Sequence, residues 1–472
     1  GAGVDTTGST PLPVDAQGAP LSSHDRFADD LDAKAWLWKD HTAHEEAEEI
    51  TDTARELRPE YLGKCGGTYS SEWYWSKLLH CRRTAPDVFE AAHTWVEIAD
   101  WIPAVLTGTD HPDALKRSVC AAGHKAMYNE EWGGYPDEDF LSALDEGLAG
   151  VRRTLPDTTY DASEPAGTLT DPWADRLGLP VGIPVAVGAF DAHLGGVGAG
   201  IETNTLVKII GTSTCDLMIA PTDQDLPDIP GLCGIVPGSV LPDHYGLEAG
   251  QSAVGDIFNW FVSVIKPDGM SHEKLTEGAR ALTPGESGLL GLDWYNGNRT
   301  VLVDQRLTGA LLGMTLHTTP EEVYRALIES TAFGARVIKE RYEKYGIEVD
   351  RIVNCGGIPF RNDLVMQIYA DVMGQPMHVS RSEQTPALGA AVAGTVVAGE
   401  NEGGHPDFDH AIDAMTDTRE EVYEPDPAHQ EVYDRLFALY RRVHDAFGVK
   451  GTEDDLYDVM KTLLTIRDEV TN

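Results

Sequence analysis

Pro184-Val185-Ala186-Val187-Gly188-Ala189-Phe190-Asp191-Ala192-His193 and Thr205-Leu206-Val207-Lys208-Ile209-Ile210-Gly211-Thr212-Ser213-Thr214 are the stretches on which the reading of the fold turns. Each is a short β-rich apolar run that ends in glycine and small residues, as buried strands of an α/β protein do. In the first, the strand gives way to a small-residue helix, and an Asp at that point projects into a crevice. Its carboxylate can take the proton of an attacking hydroxyl in phosphoryl transfer. The same residue type also caps helices, where it accepts from free amides at the positive end of the dipole. In the second, Gly211-Thr212-Ser213-Thr214 is a hydroxyl-rich turn whose free amides suit phosphate oxygens, or an ordinary hairpin turn.

Outward from this junction, helical spacing of apolar residues predicts helices over Glu72–Leu79 and Val88–Leu106 on one side. On the other side it predicts a long amphipathic helix over Glu321–Tyr345, a strand over Arg351–Cys355, and a helix over Asn362–Met373. Gly356-Gly357 follows that strand, where a backbone without side chains lets a nucleotide approach and the next helix dipole favours its phosphates. Two further amphipathic segments, Val432–Phe447 and Leu456–Ile466, read as a terminal helical appendage. Alternating strands and long helices give an α/β class, and 472 residues allow two or three domains.

Lys and Arg total 36 against 77 Asp and Glu, a formal net charge of -41, so nucleic acid and anionic membranes are excluded as partners. The same excess fits either a salt-adapted protein or a merely acidic one. Six scattered cysteines form no C-x-x-C pair and point to a reducing compartment. No apolar run of about 18 residues spans a bilayer, and no signal peptide opens the chain, so a soluble, cytoplasmic protein is expected.

Taken in order, Asp191 after a glycine-containing strand, the Gly211-Thr212-Ser213 turn and Gly356-Gly357 before a helix resemble the FGGY carbohydrate kinase family over nearly the whole chain. The run Gly309-Ala310-Leu311-Leu312-Gly313-Met314, with Glu322-Val323 and Ala326-Leu327-Ile328-Glu329, is similar to the second signature of that family. The resemblance implies a two-domain, actin-like ATPase (ribonuclease H-like) fold with a C-terminal helical appendage. Its parts are an N-terminal sugar-binding domain over 1–200, a nucleotide-binding domain over 201–400 and the appendage over 401–472. It further implies ATP and Mg2+ as cofactors, Asp191 as catalytic base, and Gly211, Thr212, Ser213, Gly356, Gly357 and Asn362 as nucleotide contacts. It assigns no metal ligand.

Within the family the ribulokinases are similar to this chain at Gly3-Val4-Asp5-Thr6-Thr7-Gly8-Ser9-Thr10, Ser70-Ser71-Glu72-Trp73, Ala122-Gly123-His124-Lys125, Asp191 with His193, and Gly246-Leu247-Glu248-Ala249-Gly250-Gln251-Ser252. Gly8 and Ser9 stand where other family members carry bulky side chains, which predicts room for a longer polyol. By this resemblance Gly8, Lys125, Asp191 and Glu248 bind the sugar, and domain closure over both substrates excludes water. The implied reaction is ATP-dependent 5-phosphorylation of L-ribulose, D-ribulose or ribitol, in L-arabinose catabolism. Xylulose or another pentitol is an alternative acceptor. The partners implied are the ketopentose and ATP, with a homodimer as the candidate assembly.

The family also begins with a Gly-, Asp- and Thr-rich strand-turn-strand unit at the ATP phosphates, which is expected to be missing ahead of Gly1. The chain then reads as a fragment, or as a degraded copy that only binds sugar or nucleotide, with exposed strand edges. Lys125 read alone is equally a surface lysine, whereas Glu248 requires a polar partner if buried. His193 either tunes Asp191 or packs. His41 and His44 beside Glu45, Glu46, Glu48 and Glu49 read as an acidic helix face rather than a metal site. Trp73, Tyr74, Trp75, Trp95 and Trp101 read as core.

Overall fold

Helix Tyr74–Thr84 buries Trp75, Leu78 and Leu79, residues spaced for one face, against Trp95, Phe140 and Leu148. Around this cluster the first of two compact units is built in the computed structural model, which describes residues 1–265, 269–453 and 455–471. That unit comprises Gly1–Thr203, Leu217–Glu248 and Gln384–Asp417; the second comprises Asn204–Asp216, Ala249–Glu383 and Thr418–Asn472.

The helix expected over Val88–Leu106 is three elements: helix Pro86–Ala91, strand Thr94–Glu97 and helix Ile98–Thr107. Thr94, Trp95 and Val96 are β-branched or aromatic, and strand 94–97 is buried throughout. It pairs antiparallel with Pro11–Val14, in the register Pro11↔Glu97 to Val14↔Thr94. A partner some eighty residues away thus overrides the local spacing.

Strand Asp5–Thr6 lies parallel to Ala189–Phe190, and helix Asp191–Gly198 follows at once. That helix packs on helix Thr385–Ala398 so closely that a Cβ at Gly198 or Gly389 would collide with the backbone carbonyls of Thr385 and Leu194. This contact explains why Gln384–Asp417 joins the first unit, although its sequence position lies past the second stretch of strands. The units therefore cut the chain differently from the segments 1–200, 201–400 and 401–472. Also in the first unit, strand His244–Ala249 pairs antiparallel with Gly234–Pro237, setting Glu248 opposite Gly234.

In the second unit Thr205–Ile210, Arg351–Cys355 and Met377–Val379 run parallel, with Ile352 opposite both Leu206 and Met377. Helix Asp363–Met373 makes the crossover between the last two strands, as parallel neighbours require. The long helix expected over Glu321–Tyr345 spans Pro320–Lys344 and starts with a capping box between Thr319 and Glu322. Its buried Arg325 bonds Glu329 at 2.8 Å and Tyr433 at 2.9 Å, which ties it to helix Pro427–Gly448. The terminal helices expected past residue 401 are thus integrated: Phe408–Met415 in the first unit, Pro427–Gly448 and Val459–Thr471 in the second. Among the described residues no helix is long and apolar enough to cross a membrane.

Candidate active site

Lys125 closes helix Val119–Ala126, whose end is fixed by the aromatic core. Tyr69 Oη donates to Lys125 O at 2.5 Å and Trp75 Nε1 to Ala126 O at 2.9 Å, while Met127 leaves the helix in left-handed backbone at φ 55°. The lysine is 7% exposed, and its Nζ donates to both oxygens of Glu248 at 3.0 Å each. The rings of Trp73 and Phe190 flank the ammonium at 5.4 and 5.8 Å. Glu248, likewise 7% exposed, therefore has the partner its burial requires.

Burial alone would push the Glu248 carboxyl up, but the Lys125 ammonium, with His124 and His193 behind it, holds it far below the usual carboxylate range. Burial opposes the charge on Lys125 too, and Glu248 outweighs it, so the ammonium is held more firmly than in water. His193 is pushed down to about 4 by burial, and His124 is pushed down further by burial and by its neighbour His193. Both rings are uncharged near neutrality.

Asp191 is the first residue of helix Asp191–Gly198, and Phe190 occupies the cap position without a side-chain bond. The carboxylate accepts from Ala192 N at 2.6 Å and remains partly exposed. Burial raises its pKa, and the charges of Asp5 and Glu248 raise it further against the Ala192 bond. The result is a stronger base than a surface aspartate, placed on the first unit with Lys125 and Glu248.

The Gly8-Ser9-Thr10 turn is held from three sides. Ser9, in left-handed backbone at φ 55°, donates from Oγ to Glu72 O at 2.6 Å. Lys77 Nζ donates to Ser9 O at 2.7 Å, and Thr10 N donates to Glu97 Oε2 at 2.7 Å. Burial pushes the Glu97 carboxyl up and the Lys77 ammonium down. The room expected at Gly8 is not open: a Cβ there would stand 2.9 Å from Phe190 Cδ2, so the ring before Asp191 fills it.

On the second unit, the Gly211-Thr212-Ser213 turn joins strands Thr205–Ile210 and Thr214–Pro221. Thr212 O accepts from Val254 N at 2.8 Å, and Gly211 O accepts from Gly255 N at 3.0 Å where helix Gly255–Trp260 starts. Gly356 has φ 90° and packs on Ile210, where a Cβ would lie 2.6 Å from the carbonyl oxygen. At Gly357 a Cβ would meet nothing within 4 Å. Asn362 caps helix Asp363–Met373, accepting from Val365 N at 3.3 Å. The structure thus gathers the two glycine-marked turns at one end of the parallel strands, beside helix N-termini suited to phosphate.

His193 is buried, with Nε2 3.8 Å from Glu248 Oε2, and neither ring nitrogen makes a hydrogen bond among the described residues. His41 sits 3.5 Å from Glu72. Among the described residues the one cluster of metal-ligating side chains is His124, His193 and Glu248. Trp73, Tyr74, Trp75 and Trp95 are core, and Trp101 packs partly buried on a second cluster. Lys77, Glu97 and Ser239 were not singled out from the sequence; their positions depend on pairings between distant segments, which no local pattern displays.

The model of the FGGY family of carbohydrate kinases, N-terminal domain, matches residues 12–198, and that of the C-terminal domain matches residues 206–398. The chain is 42% identical to a ribulokinase of Shouchella clausii over 99% of its own length and 83% of the relative's. It is 40% identical to a ribulokinase of Mycolicibacterium smegmatis over 95% and 79%. Among solved structures, gluconate kinase from Lactobacillus acidophilus matches with a TM-score of 0.76 at 20% identity, over 95% of this chain and 84% of that one. Xylulose kinase from Rhodospirillum rubrum matches with a TM-score of 0.72 at 24% identity, over 93% and 83%.

Proposed function

Because the chain belongs to the FGGY family of carbohydrate kinases, we propose that it transfers the γ-phosphoryl group of ATP to the terminal hydroxyl of ribulose. The observation that carries this reading is a partly exposed carboxylate of raised basicity, Asp191, on the same unit as the buried Lys125–Glu248 pair.

Lys125 and Glu248 bind the polyol, the ammonium donating to one oxygen and the carboxylate accepting from a hydroxyl. Each already holds the other, so neither charge is left uncompensated while the site waits for sugar. Asp191 accepts the proton of the terminal hydroxyl as its oxygen attacks the γ-phosphorus. The bond to the β-phosphate oxygen breaks, and ADP, ribulose 5-phosphate and a proton result. Gly211, Thr212 and Ser213 offer amides and hydroxyls to the phosphates, while Gly356, Gly357 and Asn362 border the adenosine.

Mg2+ enters such reactions as a chelate of the ATP phosphates and neutralises their charge. The His124–His193–Glu248 cluster does not fit it, since Mg2+ takes oxygen ligands and two of these three donors are imidazole nitrogens. L-Ribulose is the proposed acceptor, in the cytoplasm, as a step of L-arabinose catabolism. Coupled ADP release over L-ribulose, D-ribulose, D-xylulose and ribitol tests the reading. Preferred turnover of L-ribulose is expected, and turnover of none of the four would refute it.

A further inference from the structure

Beside the Lys125–Glu248 pair the first unit buries two imidazoles to which the reaction gives no role: His124 is 2% exposed and His193 1%. Ser239 Oγ donates to Val236 O at 3.0 Å, so its single proton is committed there. His124 Nε2, 2.9 Å from the same Oγ, therefore carries the ring proton and donates it. The lone pair of the ring then sits on Nδ1, which lies 3.3 Å from Glu248 Oε2 with no hydrogen bond between them. Two acceptors thus face each other inside the protein. His193 adds a third group, with Nε2 3.8 Å from the same oxygen and neither ring nitrogen hydrogen-bonded among the described residues.

Buried acceptors left unmatched are costly, and a cation set among them removes the mismatch. The ligands of a tetrahedral ion bound at about 2.0–2.2 Å stand roughly 3.3–3.5 Å apart. The Nδ1–Oε2 separation already meets that spacing, and since the three atoms all lie within 4.8 Å of one another, small rotations of the rings complete the triangle. Two imidazole nitrogens and one carboxylate oxygen, with a fourth position left open, are a donor set that Zn2+ takes. The bond from His124 Nε2 to Ser239 Oγ supplies the outer contact that fixes the tautomer of a metal-binding histidine. A Cβ at Gly234, opposite Glu248, would collide with Nδ1, so the neighbouring strand leaves the ring its place. Lys125 opposes a second cation. Its ammonium lies 3.0 Å from both carboxylate oxygens, but each oxygen accepts in two directions, so Oε1 keeps the lysine while Oε2 turns to the ion.

We infer that His124 Nδ1, His193 Nε2 and Glu248 Oε2 form a binding site for one Zn2+ ion, and that ion and sugar exclude each other because both draw on Glu248. The exclusion rests on the reading that Glu248 binds the ketopentose; the metal site does not.

The test uses the full chain and Zn2+ as the probe. Equilibrium dialysis against chelator-buffered Zn2+, without sugar or nucleotide, gives one tightly held ion per chain, and Co2+ in its place gives the intense visible bands of a four-coordinate ion. His193→Leu removes a ligand and Ser239→Ala removes the acceptor for the Nε2 proton; each weakens Zn2+ binding at least about tenfold. Lys125→Met strengthens it several-fold, because the opposing charge is gone, and a merely damaged site would not respond so. No stoichiometric Zn2+ on the parent chain, an affinity unchanged in either of the first two variants, or no gain in Lys125→Met overturns the site. In kinase assays at fixed MgATP, the apparent KM for L-ribulose rises with free Zn2+ while kcat holds, and a fall in kcat at constant KM overturns the exclusion. A Zn2+-free chain that fails to phosphorylate L-ribulose overturns the substrate reading alone, since dialysis judges the metal site without it.

Discussion

Replacing Lys125 by Met keeps most of the aliphatic stem but strands Glu248, and the consequence can be worked from the geometry. The ammonium lies 3.0 Å from each carboxylate oxygen, with both residues 7% exposed. At an effective dielectric constant of about 20 that separation gives an attraction of about 5 kcal/mol. Removing one partner of a buried pair typically costs about 3–5 kcal/mol, because the remaining charge keeps its desolvation penalty. The variant has two ways to shed that penalty: Glu248 takes up a proton, or His124 or His193 protonates beside it. Both increase the protons bound by the folded state.

Stability then falls with rising pH relative to the parent, in which Glu248 and His193 are both held below their unfolded values and bind fewer protons when folded. The loss in Lys125→Met is accordingly largest near pH 8 and shrinks toward pH 5. Urea unfolding of the first unit, followed by hydrogen exchange of helix 119–126 and strand 244–249, reads this difference without assuming that the whole chain unfolds in one step. Lys125→Met with Glu248→Gln should cost less than Lys125→Met alone. A loss below about 1 kcal/mol, or one independent of pH, would show that the pair is solvated like a surface bridge and would refute the reasoning.

Asp191→Asn lowers kcat at least about a hundredfold with little change in the KM for ATP, since it removes a proton acceptor and no nucleotide contact. In the parent, kcat/KM falls as pH drops through an Asp191 pKa that lies above the ordinary aspartate value, and near-normal turnover in the variant would exclude the assignment. Gly8→Val forces Phe190 aside at a cost of roughly 1–3 kcal/mol and raises the sugar KM, whereas an unchanged KM would separate that ring from sugar binding. With a net charge of -41, the thermal midpoint rises on adding KCl to about 1 M, where the screening length falls to about 3 Å. No gain with salt removes the salt-adapted reading.

The strand Arg351–Cys355 and the helices on either side of it could be read within a residue or two, because burial on one face of a long helix writes a period into the sequence. Thr94–Glu97 could not, since its identity as a strand depends on Pro11–Val14 lying opposite. Nor could the membership of Gln384–Asp417 in the first unit, which depends on two glycines letting helices 191–198 and 385–398 touch backbone to backbone.

The site shows the same division. Composition made it clear that a buried Glu248 needs a partner, but not which cation supplies it. Among the described residues three lysines are buried in this acid-rich chain, and each has its own carboxylate: Lys125 with Glu248, Lys208 with Asp216 at 2.6 Å, and Lys77 within the field of Glu97. Lys77 differs in that its hydrogen bonds go to the carbonyls of Ser9 and Leu37, so its charge serves backbone placement. Residue type alone cannot distinguish these lysines. What separates them is the acceptor each one reaches, and that is set by strand register and by the left-handed exit at Met127, both properties of the assembled fold.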